Sequence, residues 1–232
     1  MQVRVDRIKL GITNCYLIRH DAIALIDCGE VGRGEAFEQA VRALGVTPDE
    51  ISLIVLTHGH FDHIGSTSDI ARRTKAKVAI HRDDAHWLAQ GLAAPARPAT
   101  LWGRILLMAL SAWPMSSKFR FPGVTPDIIV ADEEVSLHGY GIPAKIIHTP
   151  GHTDGSISVV LENGEAIVGD MAMSGFPSLR GRPGLPIIAQ DMEQLRASWR
   201  KVLRQGVNMI YPSHGEPFPA AVMAALVGFQ KR

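Results

Sequence analysis

Cysteine is scarce: the 232 residues hold only two. Two thiols cannot build a disulfide scaffold or a four-thiolate zinc site. Cys15 and Cys28 lie in neighbouring strand-like runs and read as free buried thiols, with a disulfide between them as the alternative. An excess of one charge is also missing. With 24 Lys+Arg against 23 Asp+Glu the net charge is +1. That leaves no long-range field to draw in nucleic acid or an anionic membrane. Long apolar runs are absent too. The longest, Ile105 to Leu110 extended by Ser111, Ala112 and Trp113, is nine residues between Arg104 and Pro114. A bilayer span needs ~20. The opening M-Q-V-R-V-D-R-I-K-L alternates charged and apolar residues, as a half-buried strand does, and lacks the apolar core of a signal peptide. The expectation is a cytoplasmic protein with no membrane span and no nucleic-acid partner.

What is present is a chain that is 46% hydrophobic, too apolar to be disordered and long enough to bury one full core. We read a single domain over 1–232. Short apolar runs at Cys15–Ile18, Ile23–Ile26, Lys77–Ile80, Ala144–Ile147, Ser156–Leu161, Ala166–Val168 and Met209–Tyr211 predict strands. Ile51 to Leu56, I-S-L-I-V-L, predicts a central strand covered on both faces. Asn163-Gly164 predicts a tight hairpin. Helices are predicted at Glu35–Leu44, Ser66–Thr74 and Asp191–Gln205, the last capped by Asp191, with a final helix starting near Pro219. From about 89 to 126 the composition shifts to Ala, Pro, Trp, Leu and Met. This segment reads as an insertion lying over the domain, with one helix near Thr100–Trp113. Strands precede helices in both halves, which suggests two sheets face to face with helices outside.

Histidine is the compositional oddity, at ten residues. Thr57 to Gly65 reads T-H-G-H-F-D-H-I-G, placing His58, His60, Asp62 and His63 within six residues directly after the central strand. Such a run arises by chance in about one chain in a thousand of this composition. Extended residues at i and i+2 point the same way, so His58 and His60 can share one metal. Asp62 and His63 then sit on the far side of the loop and can hold a second. Imidazole with carboxylate suits zinc, and iron or manganese less selectively. Further donors stand beside glycine at strand ends: His152 in T-P-G-H-T-D-G, Asp170 in V-G-D, and His214 in P-S-H-G. Strand ends are where α/β sheets place their sites. Asp27, in L-I-D-C-G, reads either as a partner for a ligand imidazole or as an ordinary strand-end residue. His20, His81, His86 and His138 read as surface or loop residues, while His148 stands close enough in sequence to approach the site.

Taken in order, N-C-Y-L-I, L-I-D-C-G, T-H-G-H-F-D-H-I-G, T-P-G-H-T, V-G-D and P-S-H-G resemble the metallo-β-lactamase superfamily over nearly the whole length. The resemblance implies an αββα four-layer sandwich of two mixed sheets, with helices on both outer faces and a dinuclear centre between the sheets. It implies that His58, His60 and His152 hold one metal, that Asp62, His63 and His214 hold the other, and that Asp170 bridges them. Asp154 stands where many relatives have proline. Two Zn2+ are expected, with Fe or Mn as alternatives. A bridging hydroxide would be the nucleophile, with Asp62 orienting it and passing its proton on. Eighteen residues follow His214, fewer than the helical substrate domain of glyoxalase II enzymes needs. The expected activity is hydrolysis of a thioester, lactone or other activated acyl bond in a small, partly apolar substrate, with β-lactam cleavage less favoured. A phosphodiesterase and a mononuclear iron persulfide dioxygenase-like enzyme are the alternatives. Specificity is expected from 89–126 and 171–189. There the apolar residues form a substrate lid or a homodimer interface, and Arg104, Lys118, Arg120, Arg180 and Arg182 add positive charge.

Overall fold

The computed structural model describes residues 2–112, 120–178 and 181–230. Trp113, Lys118 and Arg180 therefore lie outside the described residues. The order is β1 (Arg4–Leu10), β2 (Thr13–Arg19), β3 (Ile23–Ile26), α1 (Gly34–Ala43), β4 (Ile51–Val55), α2 (Phe61–Ile64), α3 (Thr67–Thr74), β5 (Lys77–His81), α4 (Arg82–Gln90), α5 (Leu101–Ala112) and β6 (Ile128–Val130). The second half runs β7 (Val135–Ser136), β8 (Ala144–His148), β9 (Ile157–Leu161), β10 (Glu165–Ile167), α6 (Met192–Arg204), β11 (Met209–Tyr211), β12 (Phe218–Pro219) and α7 (Ala221–Leu226).

Two six-stranded sheets result, one in the order β1 to β6 and the other in the order β12 to β7. Both are mixed: β3, β4, β5 and β6 pair in parallel, whereas β1–β2 and β2–β3 are antiparallel. Only β10–β11 is parallel in the second sheet. The side-chain alternation of each strand explains the layering. In β2, Cys15 and Leu17 face α1 and α3, while Tyr16 and Ile18 face the other sheet. In β9, Ile157, Val159 and Leu161 meet the first sheet, and Val160 turns to α6. Three apolar layers therefore separate helix, sheet, sheet and helix, and strands buried on both faces read as unbroken apolar runs. This is the αββα sandwich. Cys15 and Cys28 are free and buried.

Local chemistry sets the helix ends. Asp191 accepts the N–H groups of Glu193 and Gln194 at 2.8 and 2.9 Å, capping α6. Asn163-Gly164 turns β9 into β10 antiparallel, with Gly164 at φ 88°. Several elements depart from the sequence reading. The final helix begins at Ala221, and Pro219 instead ends an edge strand, β12, where a missing N–H is tolerated. Helix α4 and strands β6, β7 and β12 carried no periodic signal.

Trp199 is fully buried in the outer layer, and its Nε1–H donates to the Met171 carbonyl at 2.9 Å. Trp199→Ala is expected to destabilise the fold by about 3–5 kcal/mol, read from the urea midpoint. An unchanged midpoint would contradict the layering.

Candidate metal centre

Four loops leave the sheets at one edge. The segment after β4 carries His58 and His60, and the single turn α2 carries Asp62 and His63. His152 follows β8, Asp170 follows β10, and His214 follows β11. All seven residues are buried, none more than 7% exposed. Asp62 and His63 stand on a short helical turn, not in the loop expected for them.

The donors fall into two groups. His58 Nε2, His60 Nδ1 and His152 Nε2 lie 2.9–3.2 Å from one another. Asp170 Oδ2 is 3.6 Å from His152 Nε2. On the other side, His214 Nε2 is 3.3 Å from both Asp62 Oδ2 and Asp170 Oδ2. His63 Nε2 lies 3.7 Å from Asp62 Oδ2 and 3.5 Å from Asp170 Oδ1. Asp170 thus faces both groups. A tetrahedral ion with bonds of about 2.0–2.1 Å separates its ligands by roughly 3.4 Å, close to these spacings.

Four of the donors are aimed from behind. His152 Nδ1–H donates to the Ile188 carbonyl at 2.8 Å, and His214 Nδ1–H to the Ile12 carbonyl at 3.2 Å. Both leave Nε2 facing inward, the arrangement of metal-ligating imidazoles. The Thr13 hydroxyl donates to Asp62 Oδ2 at 2.8 Å. Asp27 meets His63 Nδ1 at 2.8 Å and accepts the Thr57 N–H at 2.8 Å. It does so with φ 63°, a left-handed conformation uncommon outside glycine. The sequence left two readings of Asp27 open, and the structure makes it the partner of His63. His60 Nε2, His63 Nε2 and Asp170 Oδ1 are buried with no hydrogen-bond partner. Buried polar atoms are rarely left so. His63 Nε2 and Asp170 Oδ1 face the other donors, and an imidazole and carboxylate set with such inward atoms fits a divalent cation.

The electrostatics split the same way. Burial pushes His58 and His60 below the usual imidazole range and His152 down to about 4, leaving three neutral lone-pair donors. Burial also acts downward on His63 and His214, but the carboxylates win. Asp27, Asp62 and Asp170 raise His63, and Asp170 and Asp62 raise His214 to about 10. Burial would raise Asp62 and Asp170, yet the same imidazoles hold both below the usual carboxylate range.

The backbone fixes these loops. Gly151 has φ 128°, and a Cβ there would lie 2.4 Å from Leu195 N, so T-P-G-H packs directly on α6. Asn14 N–H donates to the Ser213 carbonyl at 2.8 Å, and Tyr16 Oη–H to the Pro212 carbonyl at 2.6 Å. The N-C-Y run thereby holds P-S-H-G across the sandwich.

A cavity of about 860 Å³ opens on the donors, walled by Phe61, Trp87, Leu92, Leu106, Leu107 and Ile188, with Arg120 also lining it. Segments 89–126 and 171–189 are joined through Trp102 Nε1–H to the Pro177 carbonyl at 2.9 Å and Ala99 N–H to the Ile187 carbonyl at 2.9 Å. Arg104 and Arg182 are exposed.

Two histidine expectations need correction. His81, read as a surface residue, is fully buried. His148 turns away from the centre and donates through Nε2–H to the Asp154 carbonyl at 2.8 Å. Their rings stack 4.0 Å apart at 12°, at the ends of β5 and β8. With Asp83 and Asp132 they form another close donor group. Parallel rings send their lone pairs side by side, however, and Arg82 pairs with Asp132. We read this group as a clip between the sheets.

The family description "Metallo-beta-lactamase superfamily" matches residues 8–214. The chain belongs to this superfamily. It is 27% identical to "Probable metallo-hydrolase YqgX" of Bacillus subtilis (strain 168), over 69% of the chain and 65% of that protein, just under two thirds of its length. It is 31% identical to a "Probable metallo-hydrolase" of Methanocaldococcus jannaschii over 88% of each chain. "Hydroxyacylglutathione hydrolase GloC" of Haemophilus influenzae is 27% identical over 75% of this chain and 74% of its own. Among solved structures, the BLEG-1 B3 metallo-beta-lactamase superposes with TM-score 0.70 at 23% identity, over 96% of this chain and 97% of that one. Two of these relatives are thus described as probable metallo-hydrolases, and no helix among this chain's described residues is long and apolar enough to cross a membrane.

Asp27→Asn removes the carboxylate behind His63 and is expected to weaken metal retention about 10–100-fold, measured by chelator competition. Parent-like retention would contradict the role given to Asp27.

Proposed function

We propose that the protein is a dinuclear metal hydrolase of an activated acyl bond, with a thioester or lactone as the substrate class. The observation that carries this reading is the pair of donor groups, with Asp170 within 3.6 Å of donor atoms in both, at the base of an apolar cavity. His58, His60 and His152 are assigned to one cation, Asp62, His63 and His214 to the other, and Asp170 to both. Zinc is the ion the donors suit best. Two such cations would supply Lewis acidity and a water that ionises near neutral pH.

The chain's own residues do the rest. Asp62 lines the cavity, and its Oδ2 is held by the Thr13 hydroxyl at 2.8 Å. We assign its Oδ1 to orient the attacking water and to carry the proton to the leaving group. Phe61, Trp87, Leu106 and Leu107 would exclude water and hold an acyl chain, and Arg120 would meet an anionic group beyond the scissile bond. An apolar wall suits an acyl group better than a phosphodiester. The hydroxyacylglutathione hydrolase among the relatives gives the thioester arm its support. Segment 89–126 acts in this reading as a lid, within a single domain over 1–232. The outward face of α5, with Leu101, Ile105 and Met108 exposed, is where a second copy would pack.

The test is metal analysis with a panel of thioesters, lactones, β-lactams and bis(p-nitrophenyl) phosphate. Two metals per chain and acyl turnover are expected, with Asp62→Ala losing one metal and most activity. A parent without metal, a variant as active as the parent, or preference for the phosphodiester would overturn the reading.

A further inference from the structure

His60 differs from the other imidazoles of its group. His58 has the Thr57 hydroxyl 3.1 Å from its Nδ1, and His152 has the Ile188 carbonyl behind it. His60 points Nδ1 inward, the ring nitrogen nearer the backbone, while its buried Nε2 meets no partner. Among the described residues no outer hydrogen bond aims this ring, so its place depends on the backbone just before it. That backbone is Gly59, and it is gripped on both sides. Its N–H donates to Asp84 Oδ2 at 2.8 Å, and its carbonyl accepts the Ala94 N–H at 2.7 Å.

Asp84 stands in the first turn of α4, 2% exposed. The same Oδ2 accepts the Thr153 hydroxyl at 2.8 Å. Thr153 follows His152, so one carboxylate oxygen joins the His58–His60 segment to the His152 loop. The fit is close: a Cβ on Gly155 would lie 2.6 Å from Asp84 Cγ. Neither bond serves α4, whose start is capped by His81. A buried carboxylate is costly unless its partners need it, and both of these partners lie next to metal donors. The stretch that grips Gly59 also builds the cavity, through Trp87, Leu92 and Ala94.

We propose that Asp84 is a positioning residue for the metal centre. It sets the span between the His58–His60 pair and His152, and it ties the cavity wall to those donors through Gly59. The inference rests on the metal-hydrolase reading above.

The test compares the metal-loaded parent with Asp84→Ala, Asp84→Asn and Thr153→Val. Each is titrated against a chelator, and the cobalt-substituted forms are compared by visible absorption. Asp84→Ala should weaken one of the two metals about 10–100-fold and alter the cobalt spectrum, while the other metal stays. Asp84→Asn keeps an oxygen able to accept both hydrogen bonds and should return affinity to within about threefold of the parent. Thr153→Val should show a smaller loss in the same direction, and it carries the test if Asp84→Ala does not fold. Unchanged affinity in Asp84→Ala or Thr153→Val would overturn the inference. So would an Asn variant as weak as Ala, since charge and not position would then be at work. A parent that binds no metal overturns the proposed function and this inference together. A parent that binds two, with indifferent variants, overturns the inference alone.

Discussion

Convergence of imidazoles and carboxylates in a buried place is the constraint on which the rest depends. Seven imidazole and carboxylate groups face one another where each is buried, and three of their atoms have no hydrogen-bond partner among the described residues. Buried polar atoms in that state are destabilising unless something binds them. The three neutral imidazoles His58, His60 and His152, packed this closely, would spread apart if the scaffold allowed it. The scaffold does not. Asp27, Thr13 and the Ile12 and Ile188 carbonyls hold four of the donors from outside. The stability of the surrounding sandwich offsets the cost of this local arrangement.

The architecture explains how so small a chain keeps such a site rigid. Each sheet delivers donors from strand ends at one edge, and apolar layers on both faces of each sheet fix those ends. Cross-sheet bonds then lock the loops together, as in Asn14 and Tyr16 to the P-S-H-G segment and Ile157 N–H to the Thr57 carbonyl at 2.9 Å. The stacked His81 and His148 rings clip the sheets at a second point. Substrate contacts come from other segments, which can vary without disturbing the donors.

Much of this was legible in the sequence because it is written in side chains. The I-S-L-I-V-L run announces a strand covered on both faces, Asn163-Gly164 announces its hairpin, and T-H-G-H-F-D-H-I-G announces its chemistry. All seven candidate donors meet in space. What stayed hidden has physical causes. The Ile12 and Ile188 carbonyls support imidazoles with groups every residue possesses. Asp84 acts on Gly59 and Thr153 across long sequence gaps. Helix α4 starts on a histidine cap, which is not a usual signal. His81 lies one residue past the predicted strand Lys77–Ile80, on the β5 face shared with Ala79, where it stacks on His148 of the other sheet. Pro219 looked like a helix start but sits on an edge strand, where proline is equally at home.

The central claim is that two cations share Asp170 between two sets of three residues. Anomalous diffraction at the zinc edge from crystals of the metal-loaded protein tests it most directly. The account predicts two peaks, one enclosed by His58, His60 and His152, the other by Asp62, His63 and His214, with Asp170 reaching both. A single peak, or peaks away from these side chains, would contradict it.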